Sequence, residues 1–235
     1  MFLNLIRSEC IKYRHTLLVV TIGLAPLLAA ALSIYSEFDN DFHWNHILRT
    51  AGLLWFGGWI PMICGLLAGF ACQLEKGAGN WKVLLVRPVS PKLVYFSKLF
   101  VLVIQMTLST ALLFIILNIA SLFFPDQEPV PWLKWGGMWT VQTLLSMSIL
   151  FLSFWIAAAA GRIIAAGFGF FCVIFSGLLR MISGWGKVEI PFSLMGIQIL
   201  FAIVGCAAIL YFSLVWFDRR WRTCKEGHRS FGLFH

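Results

Sequence analysis

Few residues in this chain carry reactive chemistry, and their spacing limits what they can do. His43 and His46 stand three apart, just after Asp39 and Asp41. Two imidazoles and two carboxylates could approach a metal, but a fixed site usually holds more rigidly spaced ligands. No resident metal is expected. Lys82, Arg87 and Pro88 could grip a phosphate, yet the Ser-Gly-His and Arg-His partners that phosphoester cleavage would need do not follow. The chain lacks G-x-x-x-x-G-K-[ST], G-x-S-x-G and H-E-x-x-H, so it has no phosphate-cradling loop, nucleophile elbow or zinc-hydrolase helix of its own. The polar residues inside apolar runs are weak ones: Gln105, Asn118, Gln142, Gln198 and several Ser and Thr. Intramembrane ionisable groups are the usual mark of proton relays and hydrolases, and none sits mid-run. An enzyme is not expected, nor a proton- or sodium-coupled carrier.

Hydrophobic residues make up 60% of the 235 and charged residues only 12%. Soluble domains carry about twice that charge, and disorder needs the opposite bias. The expectation is an all-α polytopic membrane protein forming one transmembrane domain over 1–235. Six apolar runs of about 20 residues, the length a bilayer demands, fall at about 16–35, 51–72, 99–124, 137–160, 162–182 and 194–217. The long run after Gly137 carries only Arg162 and Arg180 and must turn back once. Gly161-Arg162 is the natural break. Ala29-Ala30-Ala31 resembles a leader cleavage site, but 15 residues precede the first run and its length suits a span instead.

The net charge of +8 would suggest nucleic acid in a soluble protein. Here it sorts by side. With both termini inside, Arg7, Lys12, Arg14, Lys76, Lys82, Arg87, Lys92, Lys98, Arg162, Arg219, Arg220, Arg222, Lys225 and Arg229 face the cytoplasm, which is 14 of the 18 basic residues. Six of the ten acids face outward. That is the positive-inside distribution, and it leaves no basic excess for nucleic acid. Trp44, Trp132, Trp135, Trp139 and Trp185 would anchor the outer interface, and Trp81, Trp155, Trp216 and Trp221 the inner one. The six cysteines show no metal or disulfide pattern.

Other elements set how these runs pack. Phe2, Ile6, Cys10 and Tyr13 fall at helical spacing with Arg7, Lys12 and Arg14 opposite, which describes an interfacial amphipathic helix. Pro26 and Pro61 should kink the first two spans, tolerable where neighbours satisfy the freed carbonyls. Gly65-x-x-x-Gly69 allows close helix approach, within the monomer or in a dimer.

One loop is organised. Gly77 and Gly79 end the second run, and Asn80 can cap a short helix. Trp81, Leu84 and Leu85 then share a face. Arg87-Pro88 ends that helix, and Ser90-Pro91 starts another that runs through Lys98 into the third span. The result is a short cytoplasmic helix between spans two and three, suited to docking a soluble partner or to resting on lipid headgroups.

The run EKGAGNWKVLLVRPVSPKLVYFSKL resembles the loop after span two in membrane subunits of type-two ATP-binding-cassette exporters. Glu75, Gly77 or Gly79, Leu84-Leu85, Pro88-Val89-Ser90 and Lys98 match that family's recurring positions. Pro91 stands where many relatives carry Arg. LIRSECIKYRHTLL is similar to the family's interfacial helix, and the Gly79-Asn80-Trp81 form resembles the lantibiotic-immunity branch. The resemblance implies a bacterial plasma-membrane permease with six spans and a coupling helix. Glu75, Trp81, Lys82, Leu84, Leu85, Arg87, Pro88 and Lys98 would meet the ATPase. No cofactor is expected on this chain; ATP and magnesium would sit in two copies of a separate ATPase. A second, non-identical permease would complete the complex, with membrane lipid and an expelled antimicrobial peptide as further partners. A re-entrant element is implied over Met181 to Ser193. The competing expectations are a multidrug or bacitracin-type exporter, a membrane scaffold or sensor docking a soluble partner, and a lipid-modifying enzyme.

Overall fold

The computed structural model describes residues 6–9, 11, 17–36, 43–77, 91–123, 130–183, 199–200, 202–216 and 219. Among them all regular structure is helical. Residues 6–9 and 11 form an N-terminal helical segment. The elements that follow are α1 (Leu17–Ser36), α2 (Trp44–Leu54), a π-helical turn (Trp55–Trp59), α3 (Ile60–Gly77), α4 (Pro91–Phe123), α5 (Trp132–Ala160) and α6 (Arg162–Ser183). Helix α7 covers Ala202–Trp216.

Three stretches are long and apolar enough to cross a bilayer: Trp44–Leu74, Lys92–Phe123 and Trp132–Ala160. Shorter apolar helices cover Ile22–Ser36, Arg162–Leu178 and Ala202–Trp216. Leu108, Leu122, Phe123, Phe170, Phe171 and Phe212 are among many exposed large apolar side chains. So much exposed apolar surface is untenable in water and ordinary against lipid. The chain is a membrane protein.

Two helices begin earlier than their apolar runs. The second span starts at Trp44 rather than near Ala51, and the fourth at Trp132 rather than near Gly137. The reason is amphipathicity. Trp44, Ile47, Leu48 and Ala51 are buried at helical spacing while His46 and Arg49 stay exposed, so α2 carries a polar face that a search for continuous apolar sequence passes over. In α5, Trp135 donates its indole N–H to Asn45 Oδ1 at 3.1 Å, which ties the two early starts together. Trp44 and Trp139, expected as lipid anchors, are 1% and 3% exposed. Their indoles pack inside the bundle, where Phe114 meets Trp139 at 5.5 Å and Trp132 at 5.8 Å in edge-on contacts. Trp185 lies outside the described residues.

At both helix prolines a serine from another helix bonds the carbonyl that the proline leaves free. A proline has no N–H for the carbonyl four residues earlier. Pro26 therefore frees the Ile22 carbonyl, and Ser109 Oγ of α4 donates to it at 2.8 Å. Pro61 frees the Gly57 carbonyl, and Ser176 Oγ of α6 donates to it at 2.7 Å. The π-turn lies immediately upstream of Pro61, with the Ile60 N–H bonded to the Trp55 carbonyl; such turns and prolines are the usual sources of helix bends. Ser176→Ala should leave the Gly57 carbonyl buried with one fewer donor and cost about 1–3 kcal/mol. Thermal unfolding in detergent would show a lower midpoint. In a Pro61→Ala background, which restores the backbone N–H, the same substitution should cost much less. An equal penalty in both backgrounds would show that the carbonyl bond is not its source.

Helix α3 packs most extensively against α6. A Cβ on Gly65 would lie 2.5 Å from the Ala165 carbonyl oxygen, and one on Gly169 would lie 2.6 Å from the Pro61 carbonyl oxygen. The backbones touch directly, and Gly69 faces Arg162 in the same crossing. The Gly65-x-x-x-Gly69 pair thus works within the monomer. The hairpin between α5 and α6 turns at Gly161, whose φ of 102° suits a residue without Cβ.

Candidate coupling interface at the loop end of the bundle

Antiparallel succession brings five pieces to one end: the N-terminal helical segment, the end of α3, the start of α4, the α5–α6 turn and the end of α7. Side-chain contacts hold them there. Tyr95 of α4 packs on Phe154 of α5 with ring centroids 4.9 Å apart. Trp155 of α5 meets Trp216 of α7 edge-on at 6.3 Å. The segment from Ala78 to Ser90 joins α3 to α4 at this same end.

Helix α3 is described to Gly77 and α4 from Pro91. Pro91 brings a preset φ and lacks only an N–H that a first-turn residue leaves unpaired anyway. Helix α4 then runs 33 residues, about 50 Å at 1.5 Å per residue. That exceeds the roughly 30 Å apolar core of a bilayer, so the helix projects beyond it. Lys92, near its start, is exposed.

Lys98 behaves differently. It is 2% exposed and its Nζ donates to Glu9 Oε2 at 2.8 Å. Glu9 sits in the N-terminal helical segment, and its side chain is 7% exposed. The pair is a charge-assisted hydrogen bond of the strong, short kind. On α4 the neighbours at helical spacing, Val94, Tyr95, Val101 and Leu102, are all buried. Removing one member of such a pair leaves an uncompensated buried charge. Ile6 lies half-buried against the core, whereas Arg7 and Ile11 are exposed.

The other expected site residues fall as follows. Glu75 belongs to the last turn of α3, its side chain outside the described residues. Trp81, Lys82, Leu84, Leu85, Arg87 and Pro88 lie outside the described residues, as do Phe2, Cys10 and Tyr13. The structure thus brings Ile6 and Lys98 to the same end of the bundle as the last turn of α3. It adds Glu9, which sequence reasoning passed over. The signal was available: Glu9 stands three residues after Ile6 and four before Tyr13, on the apolar face of its own helix. The suggested re-entrant element over Met181 to Ser193 lies mostly outside the described residues. Among the described residues no group of three metal-ligating side chains forms; His43 and His46 stand with ring centroids 6.1 Å apart.

The family model for ABC-2 family transporter proteins matches residues 5–177. The chain belongs to the ABC-2 transporter family. The match takes in the N-terminal segment with Glu9, the whole Ala78–Ser90 connection, Lys98 and most of α6. No curated protein matches the chain. This ABC-2 transporter is accordingly a permease component of an ABC transporter, a membrane part that works with an ATPase partner rather than an ATP-hydrolysing chain.

Proposed function

We propose that this ABC-2 transporter is the permease subunit of an ATP-driven exporter that expels a lantibiotic-type antimicrobial peptide from the membrane of the producing bacterium. Family membership over residues 5–177 carries the permease reading. The Gly79-Asn80-Trp81 loop form supports the immunity branch. Three long apolar stretches and three shorter apolar helices support six spans, and the 14-of-18 basic split supports cytoplasmic termini in the bacterial plasma membrane. ATP and magnesium belong to two copies of the partner ATPase, and a non-identical second permease completes the complex. Exposed Phe170, Phe171 and Phe175 on α6 would suit contact with an amphipathic peptide entering from lipid.

Deletion of the gene in the producing strain tests the substrate. Sensitivity to one cationic pore-forming peptide should rise markedly, while small drugs keep their potency. Unchanged peptide sensitivity with an altered small-drug profile would favour a multidrug or bacitracin-type exporter.

A further inference from the structure

We propose that Glu9 and Lys98 form a positioning pair that makes the N-terminal helical segment and α4 move as one body when the partner ATPase displaces the loop between α3 and α4. The inference rests on the reading of the chain as an ATP-driven permease. Its ground is the placement of two buried charges. Glu9 is the only acidic residue in residues 1–36, and Lys98 is the only charged residue in 93–125. Each lies on the inward face of its helix, and they meet at 2.8 Å, 89 positions apart in sequence.

Apolar side chains at both positions would fill the same space and would hold the two helices together. What they would not do is choose one axial setting. Apolar contacts slide with little change in energy, whereas a buried ion pair has one short geometry and leaves bare charges in every other. Buried pairs are weak evidence for stability, and setting register is their best-attested use. The helix they connect to is suited to transmit a push. From Lys92 to Phe123 it contains neither Gly nor Pro, while α1 contains Pro26 and the α2–α3 span contains the π-turn and Pro61. Lys98 lies seven residues beyond Pro91, about 10 Å along the helix axis at 1.5 Å per residue. A force arriving through the loop meets α4 first and reaches the clamp within two turns. Lys98 is thus a positioning residue acting through Glu9, rather than a surface contact of the ATPase.

The test uses the complete complex, permeases with ATPase, reconstituted in liposomes with a fluorescent cationic peptide as probe. The variants are Glu9→Gln, Lys98→Gln, the length variants Glu9→Asp and Lys98→Arg, and the exchanged pair Glu9→Lys/Lys98→Glu. Expected for both Gln variants is ATPase co-purification as in the natural complex, with peptide moved per ATP hydrolysed reduced at least tenfold. The length variants, which keep both charges, should lose several-fold. The exchanged pair should recover most of the ratio lost by either Gln variant. Normal peptide-to-ATP ratios in the Gln or length variants would overturn the proposal. So would loss of the ATPase from Lys98→Gln but not from Glu9→Gln, which would make Lys98 a docking residue. A folded exchanged pair that stays uncoupled would overturn it as well. A natural complex that moves peptide without ATP would instead refute the permease reading, before any variant is compared.

Discussion

Gly65→Ala and Gly169→Ala should each destabilise the protein strongly, although Gly→Ala inside a helix ordinarily stabilises it by about 0.5–1 kcal/mol. The added Cβ would meet backbone oxygen at 2.5 Å in the first case and 2.6 Å in the second. Backbone cannot rotate aside as a side-chain end can, so α3 and α6 must separate along their whole crossing. Over-packing of a well-filled core costs about 1–3 kcal/mol, and the loss of neighbouring contacts adds to that. Gly167→Ala is the matched comparison. It lies on the same α6 helix, and nothing stands within 4 Å of its Cβ position, so the substitution should be neutral or mildly stabilising. Thermal unfolding in detergent distinguishes the cases. Equal midpoints for Gly169→Ala and Gly167→Ala would mean that α3 and α6 do not cross as described.

Much of this architecture was legible in local chemistry. Gly161 as the break in a long apolar run follows from the backbone preference of one residue. That Pro26 and Pro61 each free a carbonyl follows from a missing N–H. Their remedy was not legible: that Ser109 and Ser176 are the donors depends on which helix lies beside which, and serines are scattered through every span. The tryptophans misled for a related reason. An indole near a span end serves equally well against lipid or inside a bundle, and for Trp44 and Trp139 only the tertiary packing decides. The early start of α2 was hidden because its polar face interrupts the apolar run. Glu9 and Lys98 were each visible as a charge on an apolar face, but their partnership spans 89 positions and shows only once α4 and the N-terminal segment come together.

The coupling loop carries the largest predicted effect on assembly. We propose that the helix expected from sequence over Trp81 to Leu85, which lies outside the described residues, places an apolar face in a groove on the ATPase. Buried aromatic anchors of this kind commonly contribute about 2 kcal/mol or more to docking. Trp81→Ala should therefore weaken the association at least about tenfold, the factor that 1.4 kcal/mol represents. Trp132→Ala is the control. Trp132 lies at the opposite end of the bundle, packed edge-on against Phe114 at 5.8 Å, and its loss should leave ATPase binding alone. We propose that this chain is the membrane half of an ATP-driven transporter, joined to its ATPase through the loop between α3 and α4. Quantitative co-purification of an ABC ATPase with the natural chain, Trp81→Ala and Trp132→Ala in detergent tests it most directly. The prediction is near-stoichiometric ATPase with the natural chain and with Trp132→Ala, and a loss of at least about tenfold with Trp81→Ala. No ATPase on the natural chain, or the same amount on all three, would contradict it.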